Sequence, residues 1–365
     1  GFMKPLLLLL LMLLTQGAWA CPFCNPGESD VFGDISDATA VVLVKKIETR
    51  KYKVLETLSG DVKVGRVVVA AEPQGTLGKT GHLLLTTAGP ANLPYWSDPP
   101  RALDDTELSF ARASLKLRDA GNEKQWDFAA DHLQNPSNEI SRAAYNLLAN
   151  APLSAVQSRG QRVGQAKLLG WAKNPKIAPE RRALYILMGY KSYDVEEAGW
   201  IGETLFSPKL SPSSPMLGPL AMAYLQLKGL DGLSQIRQTF YAPGLPASRV
   251  TPLNRALTLV HEQTNNRTLK EAIETLFNQE LDNPHRGPFV LAPLALWKDV
   301  RGSEKVEALY SKNRDVTWVK VAVIRYFRSF PGGPAEAALA RLAKLDPSLV
   351  QRTTDGYRRE DLGID

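Results

Sequence analysis

Sulfur and imidazole are scarce in this chain: two cysteines and four histidines are spread over 365 residues. That excludes a disulfide-stapled miniature and speaks against zinc-cluster and iron–sulfur folds. Long apolar runs are also missing after the first twenty residues, where no stretch reaches the about 18 residues a membrane span needs. Clustered charge of one sign is absent too. The 44 basic and 38 acidic residues leave a net charge of +6, scattered rather than gathered into the basic stripe that binds nucleic acid, so no nucleic-acid partner is expected. There is no Gly-x-Ser-x-Gly elbow, P-loop, dinucleotide glycine fingerprint or His-Glu-x-x-His motif. The chain therefore reads as a non-enzyme, with no catalytic and no cofactor-binding residue assigned. What it does have is the composition of a packed protein, 44% apolar and 22% charged.

Residues 1–20 read as a secretory signal. Lys4 precedes an apolar run from Leu6 to Leu14, and Ala18-Trp19-Ala20 supplies a small-x-small cleavage site. Cleavage there would make Cys21 the first residue of a secreted or periplasmic protein with no transmembrane span. A lipid anchor on Cys21 is the disfavoured alternative, because Ala18 stands where lipoprotein processing prefers a leucine-like residue.

Two textures follow, and together they predict an α+β multidomain protein. Residues 21–90 are β-like: Ala40–Val44, Tyr52–Leu58, Arg66–Ala70 and His82–Thr87 are short apolar or alternating runs, punctuated by Ser59-Gly60-Asp61. They predict a small β-barrel or sandwich. Residues 91–103, rich in proline, read as a linker. Residues 104–355 are helical in period, broken at Asn135-Pro136, Asn174-Pro175, Asn283-Pro284 and Asp346-Pro347, with a polar tail at 356–365. Ser137 is placed to cap one helix and Pro179 to open another. Ile140–Ala144, Glu180–Leu184 and Asp315–Ile324 each set a basic residue inside an apolar helix face, as the inner helices of HEAT-type pairs do. A degenerate α-solenoid is the favoured reading over a helical bundle.

The opening Cys21-Pro22-Phe23-Cys24 with Ala38–Val44, Tyr52–Leu55 and Ser59–Asp61 resembles an uncharacterised family of secreted bacterial proteins. The likeness continues through Arg182–Gly189, Ala223–Gly229 and Trp318–Phe327. It implies export, a β head and a HEAT-like helical body, and no activity. A more distant likeness, over residues 21–90 alone, is to the netrin-type OB-barrels of the tissue inhibitors of metalloproteases. A first-residue cysteine, a strand–Gly-Asp–strand pattern and Leu77–Leu85 carry it. Those inhibitors open on Cys-x-Cys and bond each cysteine deeper in the barrel, whereas this chain has no third cysteine.

Cys21 and Cys24 are the strongest local signal. Two residues between cysteines permit a closed local disulfide, a thiol-exchange pair, or a copper or zinc site aided by the α-amine of a first-residue Cys21. In an oxidising compartment the disulfide is the first reading. His82, His132, His261 and His285 have no i, i+4 partner and read as surface or satisfied core histidines. Asp104-Asp105 and Glu196-Glu197 read as helix-start charges. Trp126, Trp171, Trp200, Trp297 and Trp318 read as core aromatics, with a concave groove lined by some of them as the alternative. The expected function is extracytoplasmic binding or scaffolding, with the helical surface and β head engaging a protein partner in the envelope or outside the cell. A thiol or metal function at Cys21 and Cys24, and inhibition of an extracellular metalloprotease, are the alternatives.

Overall fold

The computed structural model describes residues 21–73, 81–90, 95–96 and 98–364. The expected leader, the Leu77–Thr80 part of the netrin-like pattern, and residues 91–94 and 97 of the expected linker lie outside them. The chain is α+β, with a small antiparallel sheet in its N-terminal part followed by a helical body. It divides into two compact units. One spans Asn25–Ala151; the other joins Pro152–Asp365 to the chain up to Cys24.

The first unit holds β1 (Val41–Glu48), β2 (Lys51–Ser59), β3 (Val67–Val69), β4 (His82–Thr86) and β5 (Arg101–Leu103). They pair antiparallel in the order β3-β2-β1-β4-β5, which puts β1 at the centre and leaves β3 and β5 as edges. Central placement explains the unbroken apolar run Val41–Val44, because both faces of that strand are covered. Val41 and Leu43 join a core with Val31, Phe32 and Ile35. Val42 and Val44 join Tyr52, Val54, Val68 and Leu85 on the opposite face. Each such side chain is worth about 1.5–3 kcal/mol of transfer from water.

Four helices complete this unit: α1 (Val31–Asp37), α2 (Asp105–Leu117), α3 (Asn122–Ala130) and α4 (Asn138–Ala149). Asp104 and Glu107 cap α2 reciprocally, each side chain accepting from the other's backbone N–H. Ser137 caps α4 through the Ile140 N–H. Arg101 on β5 holds α1 and α4 together: its guanidinium meets Asp34 at 2.7 Å and Glu139 at 2.8 Å. Asn146 on α4 accepts from Gly27 N at 2.8 Å and donates to Asp30 and to the Glu28 carbonyl.

This arrangement differs from the expected head–linker–body division. Residues 91–103 do not separate two units. Ala88 and Tyr95 exchange backbone hydrogen bonds of 2.8 and 2.9 Å, Trp96 packs on the sheet core, and Arg101–Leu103 is its fifth strand. Helices α2–α4, expected in the body, share the unit of the sheet, whose limit falls after Ala151. Cys21–Cys24, expected in the head, group with the helical unit.

The helical unit contains α5 (Leu153–Ser158), α6 (Gly160–Val163), α7 (Gln165–Lys173), α8 (Pro179–Gly189), α9 (Ala198–Leu205) and α10 (Leu217–Phe240). It continues with α11 (Ala247–Gln263), α12 (Arg267–Glu280), α13 (Leu291–Leu296), α14 (Ser303–Lys312), α15 (Thr317–Arg328), α16 (Gly333–Leu345) and α17 (Pro347–Arg352). Chain neighbours pack on each other through α7/α8, α9/α10, α10/α11, α14/α15 and α15/α16, and α10 also meets α8 and α12. Pro179 opens α8, where its missing N–H costs nothing. Inside α10, Gly229 breaks the helix with φ 52° and ψ −128°, a conformation that favours glycine. The residues expected as a polar tail are docked: Tyr357 N donates to Ser329 Oγ, and Asp361 pairs with Arg325 at 2.7 Å. Among the described residues no helix is long and apolar enough to cross a membrane.

Candidate functional site

Cys21 and Cys24 are joined, with sulfurs 2.07 Å apart. The four-residue ring is seated on the helical unit. Phe23 lies against Gly218 of α10, where a Cβ would fall 2.1 Å from the phenyl ring. The Pro22 carbonyl accepts from Arg255 Nη1 of α11 at 2.7 Å. Cys21 is 2% exposed. With both sulfurs in one bond the pair offers no thiolate to a metal ion, so a metal site requires reduction first, whereas exchange would begin with attack of a partner's thiolate on the bond.

The histidines go to separate places. His82 pairs with Asp105 at 2.7 Å, and His132 packs on Phe110 and Phe128. The His285 N–H binds the Asn283 side chain. His261 is the buried one. Its ring stacks on Trp297 with centroids 3.7 Å apart, and Nε2 meets Glu274 Oε1 at 2.9 Å. Glu274 continues to Arg301, Arg301 to Asp299, and Trp297 Nε1 donates to Glu262, which pairs with Arg359. Burial holds the His261 imidazole below its ordinary pKa despite the Glu274 hydrogen bond. His261 Nδ1 has no hydrogen-bond partner, so the geometry suits the neutral ring. Among the described residues no three His, Cys, Asp or Glu side chains converge as metal ligands would.

The tryptophans divide as well. Trp171 stacks near Tyr185 and Trp297 lies between His261 and Phe277. Trp318 is 51% exposed beside Phe289 rather than in the core.

Concave surface with free hydrogen-bonding groups occurs where α8 ends. Two clefts, of about 240 and 580 Å³, share Lys191 as a lining residue. The smaller has an apolar floor of Met222, Leu225, Val260 and Leu269, with Gln226, Gln263 and Asn266 also lining it. The larger is lined by Leu187 and Met188 together with Gln157, Gln161, Gln165 and Ser192. A hydrogen-bonded ridge links them: the Tyr190 hydroxyl meets Gln157 Nε2 at 3.2 Å and Gln263 Oε1 at 3.1 Å. Burial pushes the Tyr190 phenol well above its ordinary pKa, so it stays protonated. Gln161, Gln165 and Gln226 make no hydrogen bond among the described residues. Among the described residues Lys191 is the one charged residue lining either cleft.

A larger cleft of about 790 Å³ lies by Tyr241, Glu280 and Arg286. Its buried charges are matched internally, since Arg286 Nη2 meets Glu280 Oε1 at 2.8 Å and Nη1 donates to the Ala242 carbonyl. Desolvation raises the Glu280 carboxyl above its usual range even beside Arg286. We take the Lys191 clefts as the candidate site because Lys191, Gln161, Gln165 and Gln226 line them without an ion pair or hydrogen bond among the described residues.

No catalytic motif marks this site in the sequence. One signal was present: Gln157, Gln161 and Gln165 recur every fourth residue. Their convergence with Gln226 and Gln263 depends on helix packing that spacing alone does not reveal. Comparison with protein-family models, curated proteins and solved structures finds no match to the chain.

Proposed function

We propose that the protein is a non-enzymatic binding or scaffold protein of the extracytoplasmic space, and that its helical unit engages an extended segment of a partner protein in the Lys191 clefts. The supporting observation is the amide-lined surface on both sides of the Gln157–Tyr190–Gln263 ridge. Side-chain amides donate and accept, as a peptide main chain does, so a strand laid across them finds partners for both kinds of group. The apolar floors suit alternate side chains of such a strand. The packing of successive helices, with α10 also meeting α8 and α12 and α13 meeting α15, supports reading the body as a degenerate HEAT-like solenoid, whose surface is extended by construction. The finer reading of the sheet unit as OB- or netrin-like rests on the strand pattern alone.

Selection from a displayed library of random peptides tests the site. The expected result is enrichment of sequences whose binding is lost in Gln161→Trp/Gln226→Trp, a variant that fills both clefts from exposed positions without adding charge, while its far-ultraviolet circular dichroism is unchanged. No enrichment, or enriched peptides indifferent to that variant, would overturn the proposal.

A further inference from the structure

We infer that the segment bound in the Lys191 clefts is acidic, with a peptide carboxylate seated at the Lys191 ammonium. This rests on the peptide-binding reading above and adds a charge to it.

The electrostatics of the two clefts are one-sided. Among the described residues their lining includes one cation, Lys191, and no carboxylate. No salt bridge engages the ammonium among the described residues. Its pKa is lowered by desolvation, with no carboxylate to raise it. A second source of positive potential borders the smaller cleft. The first turn of the 14-residue α12 begins at Asn266, whose side chain accepts from Leu269 N. The free N–H groups of that turn are the positive end of the helix dipole. An ammonium and a helix start, with neutral amides and hydroxyls and no carboxylate among the described lining residues, favour an anionic group.

The rest of the lining selects among anions. A phosphate site would be expected to bring a guanidinium fork or a glycine-rich cradle, and neither lines the clefts. Acidic glycans usually stack a sugar face on an exposed aromatic ring. The aromatic residue here, Tyr190, is 3% exposed and spent on its two glutamines. Apolar floors with amide rims fit a peptide, whose side chains and main chain alternate in character.

The experiment titrates the full-length protein with two pools of short labelled random peptides, read by fluorescence anisotropy. One pool carries Asp and Glu; in the other every Asp and Glu is replaced by Asn and Gln. A uronic-acid oligosaccharide serves as a third probe. The acidic pool should bind more tightly, lose about threefold to tenfold in affinity in Lys191→Met, and weaken with added salt. The neutral pool should bind the wild type and Lys191→Met alike. Equal binding of both pools to the wild type overturns the acidic preference and leaves the cleft reading standing. Binding of the acidic pool unchanged by Lys191→Met places the carboxylate elsewhere and also overturns it. Equal or tighter Lys191-dependent binding of the oligosaccharide replaces the peptide as occupant. Failure of every probe removes the cleft reading itself.

Discussion

Arg286 and Glu280 form an ion pair of 2.8 Å in which each residue is only 4% exposed. Arg286 has further partners in the carbonyls of Ala242, Tyr241 and Leu245, while its Nε and Glu280 Oε2 have none. Removing the acid alone strands a guanidinium in the interior. Glu280→Ala should therefore cost about 3–5 kcal/mol. Glu280→Gln keeps an acceptor for Nη2 and should cost less than half as much. Urea denaturation of the two variants, followed by circular dichroism, checks the ratio; equal costs would show that charge, not the hydrogen bond, is what matters there.

His261 should make the helical unit sensitive to mild acid. Its pKa is lowered in the fold from the ordinary 6.5, chiefly by desolvation. The groups facing it are Glu274 and Glu262, which favour the proton, and Lys270, which opposes it. At pH above the ordinary value the ring is neutral in both folded and unfolded chains, and nothing is lost. As pH falls through 6.5 the unfolded chain takes up a proton that the folded ring resists, so stability declines until the lowered pKa is reached. The decline in urea midpoint between about pH 7.5 and about pH 5.5 should be smaller in His261→Gln than in the wild type. An identical decline in both would assign the acid sensitivity to other groups.

Phe23 occupies the space that a side chain at residue 218 would need. Gly218→Ala should unseat the Cys21–Cys24 ring and expose its bond, and Phe23→Ala should do the same without crowding α10. Reduction by dithiothreitol, followed by alkylation and mass measurement, should run about tenfold faster in both variants, the equivalent of about 1.4 kcal/mol of lost docking. Unchanged rates in both would mean that the bond is shielded by something other than the Phe23 contact.

Gly229 is a backbone requirement rather than a packing one. Nothing lies within 4 Å of where its Cβ would be, yet its φ is +52°. Gly229→Ala should cost about 1–3 kcal/mol through backbone strain alone. The check is the thermal unfolding midpoint, with Gly199→Ala as control: that residue also has open space around it, and its φ lies outside the left-handed region.

Local chemistry was readable from the chain, and long-range packing was not. Ser137, Pro179 and Asp104 sit where their side chains predict, because a cap or a first-turn proline is decided by neighbours a few residues away. The four apolar runs between Ala40 and Thr87 became β1–β4 for the same reason. The fifth strand, Arg101–Leu103, lies in a proline-rich stretch and exists because β4 offers an edge that only the fold presents. Helix α1 is not legible in the sequence, although Asp30 caps it and Val31, Phe32 and Ile35 form its apolar stripe, because seven residues give too short a window for periodicity. Unit membership was the least legible feature. A helix carries no local mark of whether its apolar face will meet a sheet or another helix, so α2–α4 read like the rest of the body.

The contact between Pro22 and Arg255 joins positions 233 residues apart. A chain made from its N-terminus must therefore produce this segment long before the surface that receives it. Closure of a long loop is entropically costly and slow, and contacts of this range belong to the late stages of folding. A ring tied between Cys21 and Cys24 needs nothing distant to form. It constrains the two residues between the cysteines, Pro22 and Phe23, before Arg255 and Gly218 are there to receive them, so the segment docks already shaped.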